Sequence, residues 1–193
     1  MISSILLAAG QSKRMQGENK LLKKYKKKYL INHILKSLIK SKVNKIIIVL
    51  GYENKKIKKI ALKSKKIIFV VNSQYLKGIS TSIKCGLKKI SKKNIGFLIA
   101  HADMPLVSKT ILNALCSALK NKNEEIFIPV YKKRIGNPLA FKYSMIKSLK
   151  RIKGDRGAKK LIRSNQSKIK LMKMKSKSIL IDFDQLKDFP LAT

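Results

Sequence analysis

Acidic residues are scarce in this 193-residue chain: 9 Asp+Glu stand against 46 Lys+Arg, giving a net charge of +37. Tryptophan is absent, aromatics make up 6%, and only five of the cations are arginine. These shortages argue against a specific nucleic-acid partner, which would call for arginine forks and exposed stacking rings. The 41 lysines are spread over nearly every segment among Ile and Asn. They read as a solvated surface whose polyanion binding would be weak and salt-sensitive. The two cysteines, Cys85 and Cys116, lack CxxC spacing, so neither a disulfide framework nor a thiolate metal site is indicated. Both read as buried, inert thiols. No apolar run approaches the ~20 residues of a membrane span. The opening MISSILLAAG lacks the basic flank and the length of a signal peptide, so a cytoplasmic protein with no membrane partner is expected.

A hydrophobic content of 45% is enough for a packed core, and no linker or repeat divides the chain, so one domain spanning 1–193 is expected. Short apolar runs at Ile2–Ala8, Lys45–Leu50, Ile67–Val71 and Ile95–His101 read as buried strands. Amphipathic stretches at Leu30–Ser41, Asn54–Lys63, Ser80–Ile90 and Thr110–Leu119 read as helices between and after them. The alternation implies an α/β fold with parallel strands. Glu125–Tyr131, Leu139–Lys142 and Ile179–Asp182 read as further strands, and Tyr143–Ile152 and Ala158–Ser164 as short helices.

In so lysine-rich a chain the rarer residues mark where chemistry could sit. The five aspartates are Asp103, Asp155 and the cluster Asp182, Asp184 and Asp188. Gly10, in LAAGQSKRMQGENKLL, follows the first strand, where a turn of backbone N–H groups can cradle phosphate. Arg14 and Lys20 bring charge to the same loop, although GxxxxGK[ST] is absent. Asp103 lies just past a strand end, at the edge where open α/β sheets bind ligands, and suits a hard cation such as Mg²⁺. Ser108, rather than Asp103, reads as the cap of the following helix. His33 and His101 are unlinked and read as structural rather than metal-ligating.

LAAGQSKRM with KLL, NSQYLKGISTSIKCGL, ADMPLV, GNPLAF, GDRGA and a terminal DFDQLKD resemble, in order, the motifs of the MobA-like nucleotidyltransferases, and most closely those of the molybdenum cofactor cytidylyltransferases. The resemblance implies a three-layer α/β/α, Rossmann-like sandwich with a mostly parallel sheet. It further implies that Leu7, Ala8, Ala9, Gly10, Arg14 and Lys20 grip a triphosphate and that Gly78, Ser80 and Ser82 lie near base and ribose. Asp103 would bind Mg²⁺ with Asp184, or Asp182, as second carboxylate. Gly136, Asn137, Pro138, Gly154, Asp155, Arg156 and Gly157 would face the second substrate. Asn137 stands where the family usually has histidine, and Gln185-Leu186 replace the usual turn after the terminal acids.

The expected activity is Mg²⁺-dependent transfer of CMP from CTP to molybdopterin, with Arg14, Lys20 and Asp103 as catalytic residues. A molybdenum hydroxylase or its chaperone is the further partner implied. CTP is chosen over GTP because guanylyl members of the family usually carry LAGG where this chain has Leu7-Ala8-Ala9-Gly10. Transfer to a sugar or alditol phosphate, a non-catalytic molybdenum cofactor carrier, and a lysine-rich polyanion binder stay open beside it.

Overall fold

The computed structural model describes residues 1–15, 17–154 and 159–189. The strands are β1 (Ile2–Ala8), β2 (Lys24–Tyr25), β3 (Lys28–Tyr29), β4 (Lys45–Leu50), β5 (Ile67–Val71), β6 (Gly96–His101), β7 (Ile126–Tyr131), β8 (Arg134–Ile135), β9 (Leu139–Lys142) and β10 (Ile169–Lys173). The helices are α1 (Leu30–Ile39), α2 (Asn54–Ile60), α3 (Ile79–Leu87), α4 (Lys109–Ala118), α5 (Ile146–Lys150) and α6 (Lys159–Arg163).

The main sheet runs β10-β7-β9-β6-β1-β4-β5, with β8 attached to β7. It is mostly parallel; β9 runs against both β6 and β7. Central strands are buried on both faces, which is why they read as unbroken apolar runs. Leu6, Ile48 and Leu98 face a cluster that includes Leu30, Ile34, Ile57 and Leu112 of α1, α2 and α4. The alternate residues Ile5, Ile47 and Phe97 face Ile83, Leu149 and Leu161 of α3, α5 and α6. The result is the three-layer α/β/α arrangement.

The first strand fixes where a ligand can enter. β1 pairs with β4 on one side and β6 on the other, so the strand order reverses there and a crevice opens beyond the carboxyl ends. The loops after β1 and β6 border it.

Two expectations need correction. Ile179–Asp182 is not a strand: Lys177–Leu180 forms a 3-10 turn, and Ile179 O accepts from Asn137 N, in the segment before β9, at 2.8 Å. Cys85 is half-buried, not buried, whereas Cys116 is buried and its thiol is pushed up to about 11 by desolvation. No lysine whose side chain is described is fully buried, and Lys20 is half-buried. Among the described residues, no helix is long and apolar enough to cross a membrane.

Candidate active site

The loop after β1 is held by its own side chains. Ser12, at φ 55°, accepts from Met15 N through its carbonyl and from Lys20 N through Oγ at 3.1 Å. Met15 is fully buried and anchors the loop, while Asn19 Oδ1 caps Leu21 N at 3.1 Å. Gly51, at the end of β4, fits beneath this loop: a Cβ there would lie 2.7 Å from Ala9 O and 2.8 Å from Tyr75. Gly78 enters α3 at φ 100°, a conformation that favours glycine.

Lys20 reaches the end of β6. Its ammonium donates to Asp103 Oδ2 and, at 2.5 Å, to Asp184 Oδ1. Arg14 donates to the other Asp184 oxygen at 2.7 Å. The second carboxylate arrives on a clipped segment. Phe183 N donates to Asp103 O at 2.9 Å, and the Phe183 ring meets Tyr25 and Phe189 edge-on at 4.9 and 5.2 Å. Asp188 Oδ2 accepts from Asp184 N and Gln185 N at 2.7 and 2.8 Å, so Asp188 serves as a cap. Ser108 Oγ likewise accepts from Ile111 N, in α4.

Oxygens of Asp103, Asp182 and Asp184 lie within 4.8 Å of one another. Asp103 Oδ1 is buried and has no hydrogen-bond partner among the described residues. Such an orphaned acceptor is costly unless a cation or water meets it. Burial and then the charges of Asp184 and Asp103 push the Asp182 carboxyl above the usual range. Burial works the same way on Asp184, but the Lys20 hydrogen bond and charge, reinforced by Arg14, hold it below that range. Burial opposes the charge on Lys20, yet Asp103 and Asp184 together raise it.

A cavity of about 490 Å³ opens in front of these groups. Of the residues expected there, Leu7, Ala8, Ala9, Gly10, Arg14, Lys20, Gly78, Ser82, Asp103 and Asp184 line it. Ser80 does not; it is 2% exposed, and its N–H donates to Gly154 O at 3.3 Å. Gly136 and Asn137 line a second hollow that shares His101 and Asp103 with the first, while Pro138 and Gly154 line neither. Asp155, Arg156 and Gly157 lie outside the described residues. Tyr75, Leu76 and His101 also line the cavity, and buried Asn72 donates to Ser82 Oγ at 3.0 Å. The sequence assigned them no functional role; their adjacency to Gly78 and Asp103 was the available signal.

The model of the MobA-like NTP transferase domain matches residues 4–169. Over 133 residues, 69% of the chain, the sequence is 33% identical to a probable molybdenum cofactor guanylyltransferase of Clostridium perfringens; the matched stretch is 61% of that relative. Rv0371c of Mycobacterium tuberculosis superposes with a TM-score of 0.85 and 23% identity, over 97% of this chain and 94% of that one. It has also been solved in complex with manganese. The nucleotidyl transferase Mth528 of Methanothermobacter follows at 0.83 and 19%, over 97% and 94%. At these identities the structural likenesses show the fold.

Proposed function

The chain belongs to the MobA-like NTP transferase family, and from that premise we propose that it transfers CMP from CTP to the phosphate of molybdenum-loaded molybdopterin, releasing pyrophosphate. The observation that carries the reading is the pairing of Lys20 with two carboxylates at the crevice, beside the orphaned Asp103 oxygen. Cations for a triphosphate and hard oxygen ligands for its metal stand side by side.

The donor set fits Mg²⁺, which prefers carboxylate oxygen and retains several waters. Asp103 and Asp184 would hold it, with Asp182 the alternative second ligand. When bound, the ion would neutralise charge building on the phosphate oxygens.

The protein's own groups do the rest. Arg14 and Lys20 exchange carboxylate partners for triphosphate oxygens, Arg14 as a planar fork and Lys20 as a point charge. An acceptor phosphate oxygen is already ionised, so no general base is required. It bonds to the α-phosphorus in line, the bond from that phosphorus to the bridging oxygen breaks, and pyrophosphate leaves. The catalytic contribution is positioning and charge neutralisation.

The Leu7-Ala8-Ala9-Gly10 run favours CTP, since guanylyl members of the family that it resembles usually carry LAGG there. The guanylyltransferase among the relatives favours GTP as a second reading. Incubation with each NTP and molybdopterin, with mass analysis of the product, separates the two: a cytosine dinucleotide supports the first and a guanine dinucleotide the second.

A further inference from the structure

The second hollow, about 190 Å³, adjoins the carboxylate cluster on the side away from the β1 loop: Asp103 and Asp182 line it, but Arg14 and Lys20 do not. Its one Lys or Arg among the described residues is Arg134. Lys132 and Lys133, at the tip of the same hairpin, are not part of its lining. Arg134 forms no ion pair among the described residues, in contrast to Arg14, which is engaged by Asp184.

The guanidinium hangs from a fixed strand rather than a loose loop. Lys132 and Lys133 take φ values of 45° and 64°, the left-handed pair that closes a tight two-residue hairpin. Tyr131 pairs with Arg134 and Val130 with Ile135. Gly136 N then donates to Pro129 O at 2.9 Å, and Asn137 N to Ile179 O at 2.8 Å. A Cβ on Gly136 would fall on the Ile179 carbonyl, so the base of the hairpin is seated directly on the Lys177–Leu180 turn.

The charges of the hollow restrict what can enter. Two carboxylates repel an anion, and the remaining polar side chains among the described residues are an imidazole and an amide. A guanidinium is permanently charged and matches phosphate as a two-pronged donor. A neutral hydroxyl acceptor has no use for it, whereas a phosphate monoester needs it to lie beside Asp103. We infer that Arg134 recognises the acceptor's phosphate and thereby confines the acceptor to phosphate monoesters. This rests on the nucleotidyl-transfer reading above, and it gives a binding role to a residue to which the resemblance assigned none.

The test compares wild type with Arg134→Ala and Arg134→Lys, using molybdopterin and its dephosphorylated form as probes in fluorescence titrations, with CTP affinity measured in parallel. Wild type is expected to bind the phosphorylated probe at least tenfold more tightly than the dephosphorylated one. Arg134→Ala should abolish that preference and Arg134→Lys restore only part of it, with CTP affinity changed less than twofold. An Arg134→Ala protein that keeps the preference, or a wild type that shows none, overturns the inference. Wild type that discriminates through Arg134 yet binds no NTP overturns the nucleotidyl-transfer reading instead.

Discussion

The Lys20 ammonium lies 2.5 Å from Asp184 Oδ1, across 164 residues of sequence, and also donates to Asp103. One cation thus ties the loop after β1 to the end of β6 and to the C-terminal segment. The same carboxylates are the proposed metal ligands, so the ammonium and a divalent ion compete for them. Replacing Lys20 with Met should strengthen Mn²⁺ binding to the nucleotide-free protein by roughly three- to tenfold and weaken NTP binding. Titration calorimetry reads both; weaker Mn²⁺ binding would refute the competition.

Arg14 is largely exposed where it meets Asp184, so its contact with a triphosphate would be screened. Arg14→Ala should cost on the order of 1 kcal/mol in NTP affinity, roughly fivefold. Turnover should fall with it. Unchanged kinetics would leave Arg14 as a surface ion-pair partner only.

Gly51 and Gly10 make a matched pair. At Gly51 a new methyl meets backbone at Ala9, whereas at Gly10 nothing among the described residues lies within 4 Å. Gly51→Ala should therefore lower the melting temperature, at about 1–3 kcal/mol for overpacking. Gly10→Ala should leave melting unchanged but weaken NTP binding, because Gly10 lines the cavity. Equal melting losses in both would contradict this division.

The Asp182 carboxyl is raised, by burial first and then by its acidic neighbours, so the folded state holds that proton better than the unfolded chain. Between the ordinary and the raised value, stability from this group falls as pH rises. Asp182 is exposed, so solvent screens the effect; Asp182→Asn should raise the melting temperature at pH 7 slightly while weakening Mn²⁺ binding. Asp184, where Lys20 outweighs burial, and Glu125, held down by hydrogen bonds from Lys168 and Ser144, have the opposite sign. Their contributions are present at neutral pH and fade as pH drops below the ordinary carboxylate values. A lower melting temperature for Asp182→Asn, measured by scanning calorimetry, would contradict the repulsion.

The buried strands were legible in the sequence because both faces of β1, β4 and β6 are covered, leaving runs of Ile, Leu and Val. Asp103 was legible because a lone carboxylate followed such a run. The β2–β3 hairpin and β8 were not, since each strand is two residues long and rich in charged side chains. Ile179–Asp182 misled because its apolar residues pack onto the core from a turn rather than from a strand. Ser80 and Ser82 looked equivalent; helical geometry turns one inward and the other toward the cavity. Arg134 was given no role in a chain so rich in cations; the path of the hairpin brings it to the lining of the hollow that Asp103 shares.

The most direct measurement follows pyrophosphate release and product mass when the protein meets CTP and molybdopterin, with and without Mg²⁺, beside Asp103→Asn. Metal-dependent pyrophosphate release, an equal amount of cytosine dinucleotide and at least a hundredfold loss in the folded Asp103→Asn variant are expected. Absence of nucleotidyl transfer with every NTP, or full activity in Asp103→Asn, would contradict the assignment of this crevice as a metal-dependent nucleotidyltransferase site.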